Sequence, residues 1–511
     1  MSVAQNSKIA FDLVAASASQ IQRLLSEGTL TTVHLVEQCL SQIEKLDRQE
    51  LSLNAMISIV PRPQLLKRAE CLDKERQAGQ LRGPLHGIPI VLKDIINTES
   101  DFELPTTAGS FALKGAENAG NALLVEKLLE KGLIILGKTN LSEFGACKGE
   151  KGIGGLSAIG GQVQSVYVEG GVQSGDEPFA PTNPGGSSSG SAVAVAAGYA
   201  PLAIGGEADG SIGTPASRSS LFALKCTPQT ISSSGILLIT PTFESIGGMA
   251  KTAADLADLI AVILEASNIP RNLPETLLTT WDNLTLGFVD PTKWQLPKEL
   301  LTSDEDYTFQ VKTMYESAIE KIKVAGGAVH YPVPLVHPST LQFEGQPGYL
   351  TILLSEVRDS VNAYLNTLIS SPVKSLQDII QFNKEHPELQ AGIDQTYLIQ
   401  CQENNMSPEV ANEARIAMKK AAGEDGIDKI LNEFGLDVIV TPMDSPISTV
   451  TALAGYPSAT VPLGYLEPSG RPVGLCLVAK ANEEGKLLRV MSAYEATMPG
   501  RRLPTRLIQE N

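Results

Sequence analysis

Residues 184–204 read Pro184-Gly-Gly-Ser-Ser-Ser-Gly-Ser-Ala-Val-Ala-Val-Ala-Ala-Gly-Tyr-Ala-Pro-Leu-Ala-Ile204. A glycine-serine turn gives way to a helix of small residues over Ser191–Gly198, and then to a strand over Ala200–Ile204. The alternation extends outward from this stretch. Upstream, Ile88–Leu92 predicts a strand, Asn121–Glu130 a helix and Leu133–Leu136 a strand. Downstream, Pro215 sits where the first turn of a further helix tolerates proline. Strands and helices alternating over residues 84–260 predict an α/β fold, a sheet covered by helices on both faces.

Residues 10–80 predict helices, because apolar residues recur there at spacings of three and four. Gly28 ends one helix and the pair Thr31-Thr32 caps the next. Residues 150–182 form a glycine-rich, polar loop of a length usually reserved for function or motion. Residues 265–430 are mixed and mostly helical, and Leu436–Thr441, Ser458–Val461 and Val473–Ala479 predict further strands. With no internal repeat and no clear linker, the 511 residues predict one large domain. Its parts are a helical segment (about 10–80), a core (about 84–260), a variable region (about 265–430) and C-terminal strands with a helix (about 431–505).

Composition narrows the function classes. A net charge of −17 repels nucleic acid phosphate and anionic membranes, so neither is an expected partner. Six scattered cysteines without a CxxC pair predict reduced thiols in a cytoplasmic protein, and the five histidines lack metal-ligand spacing. The N-terminus shows no signal peptide, and the longest nearly apolar run, Ala192 to Ile204, is too short to span a bilayer.

Three elements carry candidate chemistry. Lys93 ends the apolar strand Ile88–Leu92, where burial would lower its pKa and free a neutral amine; alternatively it snorkels off the strand end. Ser187 lies in the glycine-serine turn, where Gly185-Gly186 suggest a special backbone; alternatively Ser187, Ser188 and Ser189 simply cap a helix. Ser211 follows Asp209-Gly210, in a turn whose amides could bind an oxyanion; alternatively the turn only feeds a helix. None of the three decides the matter alone.

Their order and spacing do. A lysine after Gly87-Ile-Pro, a Gly185-Gly-Ser-Ser-Ser-Gly190 turn and Gly210-Ser-Ile212, with Ser211 placed 24 residues after Ser187, resemble the amidase signature family of serine hydrolases. The likeness also covers Thr106–Ser110, Leu136–Phe144, Pro215–Arg218, Ala454–Ser458 and Gly470–Gly474, and runs from about residue 10 to 505. It implies a single large α/β/α sandwich with a central twisted mixed sheet. It implies Ser211 as nucleophile, Ser187 as relay and neutral Lys93 as base, with a cis peptide bond before Ser187. The amides of Ala208, Asp209, Gly210 and Ser211 would form the oxyanion hole, with Gly185, Gly186 and Gln162 as substrate contacts. The substrate would be a small-molecule amide, with no metal and no organic cofactor. Family members are often dimers, which leaves a homodimer as an open expectation.

Some positions depart from the family. Gly213 stands where an arginine is common, Asn121 where an aspartate is common, and an arginine is frequent near Thr182. Gln162, Gln164 and Tyr167, with parts of 310–410, are candidates for the substrate wall, while Tyr349 and Phe343 read either as acyl contacts or as core aromatics. Gly132–Thr139 fits a phosphate-loop pattern, but its middle is a strand. Gly186–Gly190 fits GxSxG around Ser188, yet Pro181-Thr-Asn-Pro184 precedes it where a strand is required. Asn283-Leu-Thr is a formal glycosylation site expected to stay unmodified. Two rivals to an amidase are an acyl transferase or amidotransferase using the same acyl-enzyme, and a catalytically silent homologue.

Overall fold

The computed structural model describes residues 11–149, 154–172, 180–269, 271–296 and 306–507. Eleven strands among them form one mixed sheet: β1 (Met56–Ile59), β2 (Pro89–Lys93), β3 (Ile134–Thr139), β4 (Leu202–Glu207), β5 (Phe222–Lys225), β6 (Ser245–Ala250), β7 (Thr285–Phe288), β8 (Ala328–His330), β9 (Val438–Pro442), β10 (Ser458–Tyr465) and β11 (Pro472–Val478). Their spatial order is β1-β3-β2-β4-β6-β5-β10-β11-β9-β7-β8. The neighbours β3, β2 and β4 are parallel, as are β9, β7 and β8, and the remaining pairs are antiparallel. Helices surround the sheet, as an α/β fold requires.

The parallel trio holds the site. Strands β2, β3 and β4 are buried along their whole length, and so read as near-continuous apolar runs. The Ser189–Ala196 helix packs on β2, β3 and β4 with all of its residues buried. Its small residues are a packing requirement: a Cβ on Gly190 would stand 2.3 Å from the Ala55 carbonyl oxygen and 2.6 Å from the Asn140 nitrogen. The Ala253–Glu265 helix packs on β6, capped by Thr252, whose hydroxyl accepts from the Asp255 amide at 3.1 Å.

The N-terminal helices form as expected. Ala18–Ser26 stops before Gly28, at φ +71°, and Thr31 caps Thr32–Asp47 by accepting from the His34 amide at 3.1 Å. Between them and Arg62–Gln77, however, lies β1, an edge strand. Four more strands of this sheet depart from the sequence reading: β5 and β6 in the core, and β7 and β8 within the mostly helical 265–430 region. β5, β7 and β8 have only three or four residues, and glycines interrupt the apolar pattern of β6. A Cβ on Gly247 would lie 2.0 Å from the Leu224 carbonyl oxygen of the paired strand, so glycine there marks close backbone approach.

The phosphate-loop lookalike dissolves in this fold. Gly137, Lys138 and Thr139 are residues of β3 itself, and Lys138 is buried, donating to the carbonyl of Ile96 and to Thr106 Oγ1 at 2.9 Å. All six cysteines are unpaired. Among the described residues, no helix is long and apolar enough to cross a membrane, and no cluster of three His, Cys, Asp or Glu side chains could hold a metal ion.

Candidate active site

Lys93 ends β2 and is 1 % exposed. Its Nζ lies 2.7 Å from Ser187 Oγ and donates to the Gly206 carbonyl at 2.8 Å. Burial is the main influence on its ammonium and pulls the pKa down from 10.5 to about 8; the charges of Glu244 and Glu207 oppose that fall. Snorkelling is thereby excluded, since the amine points into the protein. The neighbouring Asp94 organises the adjacent loop, its carboxylate accepting from the amides of Thr107 and Gly109 at 3.2 Å each. This accounts for Thr106–Ser110 standing among the matching stretches: it is scaffolding around the lysine strand.

Ser187 follows a cis peptide bond from Gly186, as the family resemblance implies. The capping alternative for the serine cluster does not hold. Ser188, at the N-cap of Ser189–Ala196, makes no side-chain cap hydrogen bond. Instead its hydroxyl is fully buried and donates to the Gly206 carbonyl at 3.1 Å, while Ser189 Oγ donates to the Gly185 carbonyl. That burial also removes Ser188 as an exposed nucleophile. Gly185, at φ +76°, packs against the backbone of Thr214-Pro215, and a Cβ on Gly186 would meet Ser142 Oγ at 2.6 Å and the Gly154 Cα at 3.0 Å.

The relay turn and the nucleophile turn are joined directly, because the Ser188 amide donates to the Ser211 carbonyl at 3.0 Å. Ser211 is 9 % exposed, and its hydroxyl makes no hydrogen bond among the described residues. Nor do the amides of Ala208, Asp209, Gly210 and Ser211 find an acceptor there. Unpaired N–H groups beside a serine hydroxyl are donors that could serve an oxyanion. Glu207 explains how the turn is held: its carboxylate folds forward to accept from the amides of Ile212 at 2.6 Å and Gly213 at 2.9 Å. Asp209 accepts from Thr449 Oγ1 at 2.7 Å, and the buried Lys225 donates to the Ala208 carbonyl at 3.1 Å. Burial raises the Asp209 pKa, against the hydrogen bonds of Ser448 and Thr449.

Several departures from the family gain a structural reading. A Cβ on Gly213 would stand 2.7 Å from Met443 Sδ and 3.0 Å from Thr460 Oγ1, so Met443 fills the space where an arginine stem would start. Near Thr182, the loop is held from the other side: buried Arg218 donates to the carbonyls of Ala180 and Asn183 at 2.9 Å each. Arg218 and Arg471 both reach Asp444, at 3.2 and 3.1 Å, and both arginines and the carboxylate are buried.

The predicted substrate wall lies one layer further out. Gln162 donates to the carbonyls of Gly154 at 2.8 Å and Val163 at 3.0 Å, so it touches the turn through Gly154. Gln164 accepts from the Val172 amide, and buried Tyr167 donates to the Arg502 carbonyl at 2.9 Å. Residues 150–153 and 173–179 of the same loop lie outside the described residues. Tyr349 stacks on Phe243 with ring centroids 4.9 Å apart, close enough to the site for Asp209, Glu244 and Glu207 to act on its phenol. Sequence reasoning missed Glu244 and Lys225, because an isolated acid and base far apart in sequence carry no local signal.

Comparison with known proteins identifies the family and the fold. The amidase family profile matches residues 34–449. A probable amidase of Arabidopsis thaliana is 33 % identical, over 97 % of this chain and 93 % of its own. A glutamyl-tRNA(Gln) amidotransferase subunit of Chloroflexus aurantiacus is 30 % identical, over 93 % and 95 %. The crystal structure of peptide amidase from Stenotrophomonas maltophilia superposes with a TM-score of 0.85 at 33 % identity, over 97 % of this chain and 99 % of that one.

Proposed function

The chain belongs to the amidase family and is an amidase, and from that premise we propose that it cleaves a carboxamide C–N bond through an acyl-enzyme on Ser211, with Ser187 as relay and neutral Lys93 as base. The observation that carries this reading is the contact of a fully buried Lys93 Nζ with Ser187 Oγ at 2.7 Å. Ser211 Oγ attacks the amide carbon and gives its proton to Ser187, whose own proton passes to the Lys93 lone pair. The oxyanion takes hydrogen bonds from the amides of Ala208 to Ser211; losing one such donor typically costs about 2.7–4 kcal/mol. Lys93 returns its proton through Ser187 to the leaving nitrogen as the C–N bond breaks. Water then attacks the ester by the same relay, giving a carboxylic acid, ammonia or an amine, and free Ser211.

The same reading assigns Gly185 and Gly186 to the substrate approach, with Gln162 supporting them through Gly154. It takes the chain as one catalytic domain acting in the cytoplasm on a small-molecule amide. Nucleophile, relay and base all come from the chain, so no cofactor is called for; nucleic acid and membrane are not expected partners, and a homodimer is the assembly the family suggests. Likeness to peptide amidase makes peptide amides the first substrates to offer.

The test is ammonia release from a peptide amide panel by the native protein and by Ser211→Ala, Ser187→Ala and Lys93→Ala. Each variant is expected to lose about 10²-fold or more; undiminished turnover in Ser211→Ala would overturn the assignment. Similarity to the amidotransferase favours a second reading, acyl transfer to an amine. Hydroxamate yield with hydroxylamine, measured against acid yield, separates the two.

A further inference from the structure

An apolar cavity of about 320 Å³ lies against the Ile447–Ala454 helix, whose Thr449 contacts the nucleophile turn. Leu341, Leu350, Leu353 and Leu453 form its apolar wall, Tyr349 and Thr449 also line it, and no charged side chain does. Thr449 is its link to the chemistry, since its hydroxyl donates to Asp209 at 2.7 Å, two residues before Ser211. Thr449 and Leu453 are one turn apart on the Ile447–Ala454 helix, so one helical face runs from the nucleophile turn into the cavity. On that helix Ser448 Oγ stands 3.2 Å from where a Gly210 Cβ would lie. On the opposite wall, the Gly348–Leu365 helix supplies Leu350 and Leu353 next to Tyr349, whose ring stacks on Phe243, the neighbour of Glu244.

We propose that this cavity receives a large apolar group, aromatic or branched aliphatic, carried by the amide substrate. The inference rests on the Ser211 reading above and adds the chemical class that the enzyme selects. An uncharged wall offers no partner to a charged substituent, whose desolvation would go uncompensated. An apolar group gains by leaving water, and Thr449, which lines the cavity and donates to Asp209, sets that group beside the nucleophile turn. The group stands on either the acyl or the amine side of the amide, and the test separates these.

The experiment measures kcat/KM for N-acetyl amides of glycine, leucine and phenylalanine, which vary the acyl side with ammonia as common leaving group. A second arm uses acetamide against acetanilide, which varies the amine side. Rates are normalised to the amount of Ser211 that takes up a fluorophosphonate. Discrimination of at least about tenfold for the large group is expected in one arm, the scale set by filling an apolar pocket. Leu350→Trp, which fills the cavity, should cut that ratio at least about tenfold, mostly through KM. Leu453→Ala, which enlarges it, should raise phenylalanine or anilide relative to the smaller substrate, and serves if the filling variant does not fold. A ratio near one in both arms, or a ratio unmoved by both variants while Ser211 is labelled, overturns the cavity inference alone. Absence of both label and hydrolysis in the native protein overturns the Ser211 reading and this inference with it.

Discussion

Replacing Glu244 by glutamine should make the enzyme faster at neutral pH. Burial lowers the Lys93 pKa from 10.5 to about 8, a preference for the neutral amine of about 3 kcal/mol. At pH 7 about one molecule in ten then carries the free base, where an exposed lysine would supply about one in 3,000. Because the relay needs neutral Lys93, kcat/KM should rise about tenfold per pH unit below 8 and level off above about 9. Glu244 opposes the effect of burial: its buried carboxylate favours the ammonium, although among the described residues the two form no direct ion pair. Removing that charge lowers the pKa of Lys93 further, so the limb moves to lower pH by about one unit, the low end for a nearby opposite charge. The neutral fraction at pH 7 then approaches one half, a gain of up to about fivefold. Glutamine keeps an acceptor for the amides of Ile239 and Thr240, which Glu244 now binds at 2.6 and 3.3 Å. The assay is a pH profile of kcat/KM for both proteins on one amide. A limb that moves to higher pH in the variant, or a native limb near 10.5, refutes the reasoning.

Other expectations are more direct. Asp444→Ala leaves Arg218 and Arg471 buried without their carboxylate, and should cost about 3–5 kcal/mol in urea unfolding. Gly213→Arg should destabilise by about 1–3 kcal/mol, because Met443 fills the space its side chain would enter. The double variant with Met443→Ala should recover part of that loss in thermal unfolding. Ser188→Ala should retain far more turnover than Ser211→Ala, since the Ser188 hydroxyl is held by the Gly206 carbonyl. Equal losses in the two would count against the assignment of roles.

What the sequence made legible was local. The apolar run before Lys93, the glycine-serine turn and the Asp209-Gly210-Ser211 turn each announce their backbone, and the structure brings the lysine and the first serine into contact. The three strands β2, β3 and β4 were readable as strands, though not their parallel pairing, because strands buried on both faces are nearly continuously apolar. Strands β5 to β8 were not, since β5, β7 and β8 have only three or four residues and glycines interrupt the apolar pattern of β6. Glu207 illustrates the limit within the site. A glutamate five residues before Ile212 carries no local signal of a clamp, and only the fold shows it binding the turn amides. Arg218 illustrates the converse, because the absence of an arginine near Thr182 gave no hint that a residue 36 positions later binds the same loop.

In the proposed mechanism Ser211 is the nucleophile, deprotonated through Ser187 and Lys93. The most direct measurement is intact mass after a fluorophosphonate, followed by peptide mapping, on the native protein, Ser211→Ala and Lys93→Ala. One adduct on Ser211 is expected, with none in Ser211→Ala and slow labelling in Lys93→Ala. An adduct on Ser188, or undiminished labelling of Ser211→Ala, would contradict it.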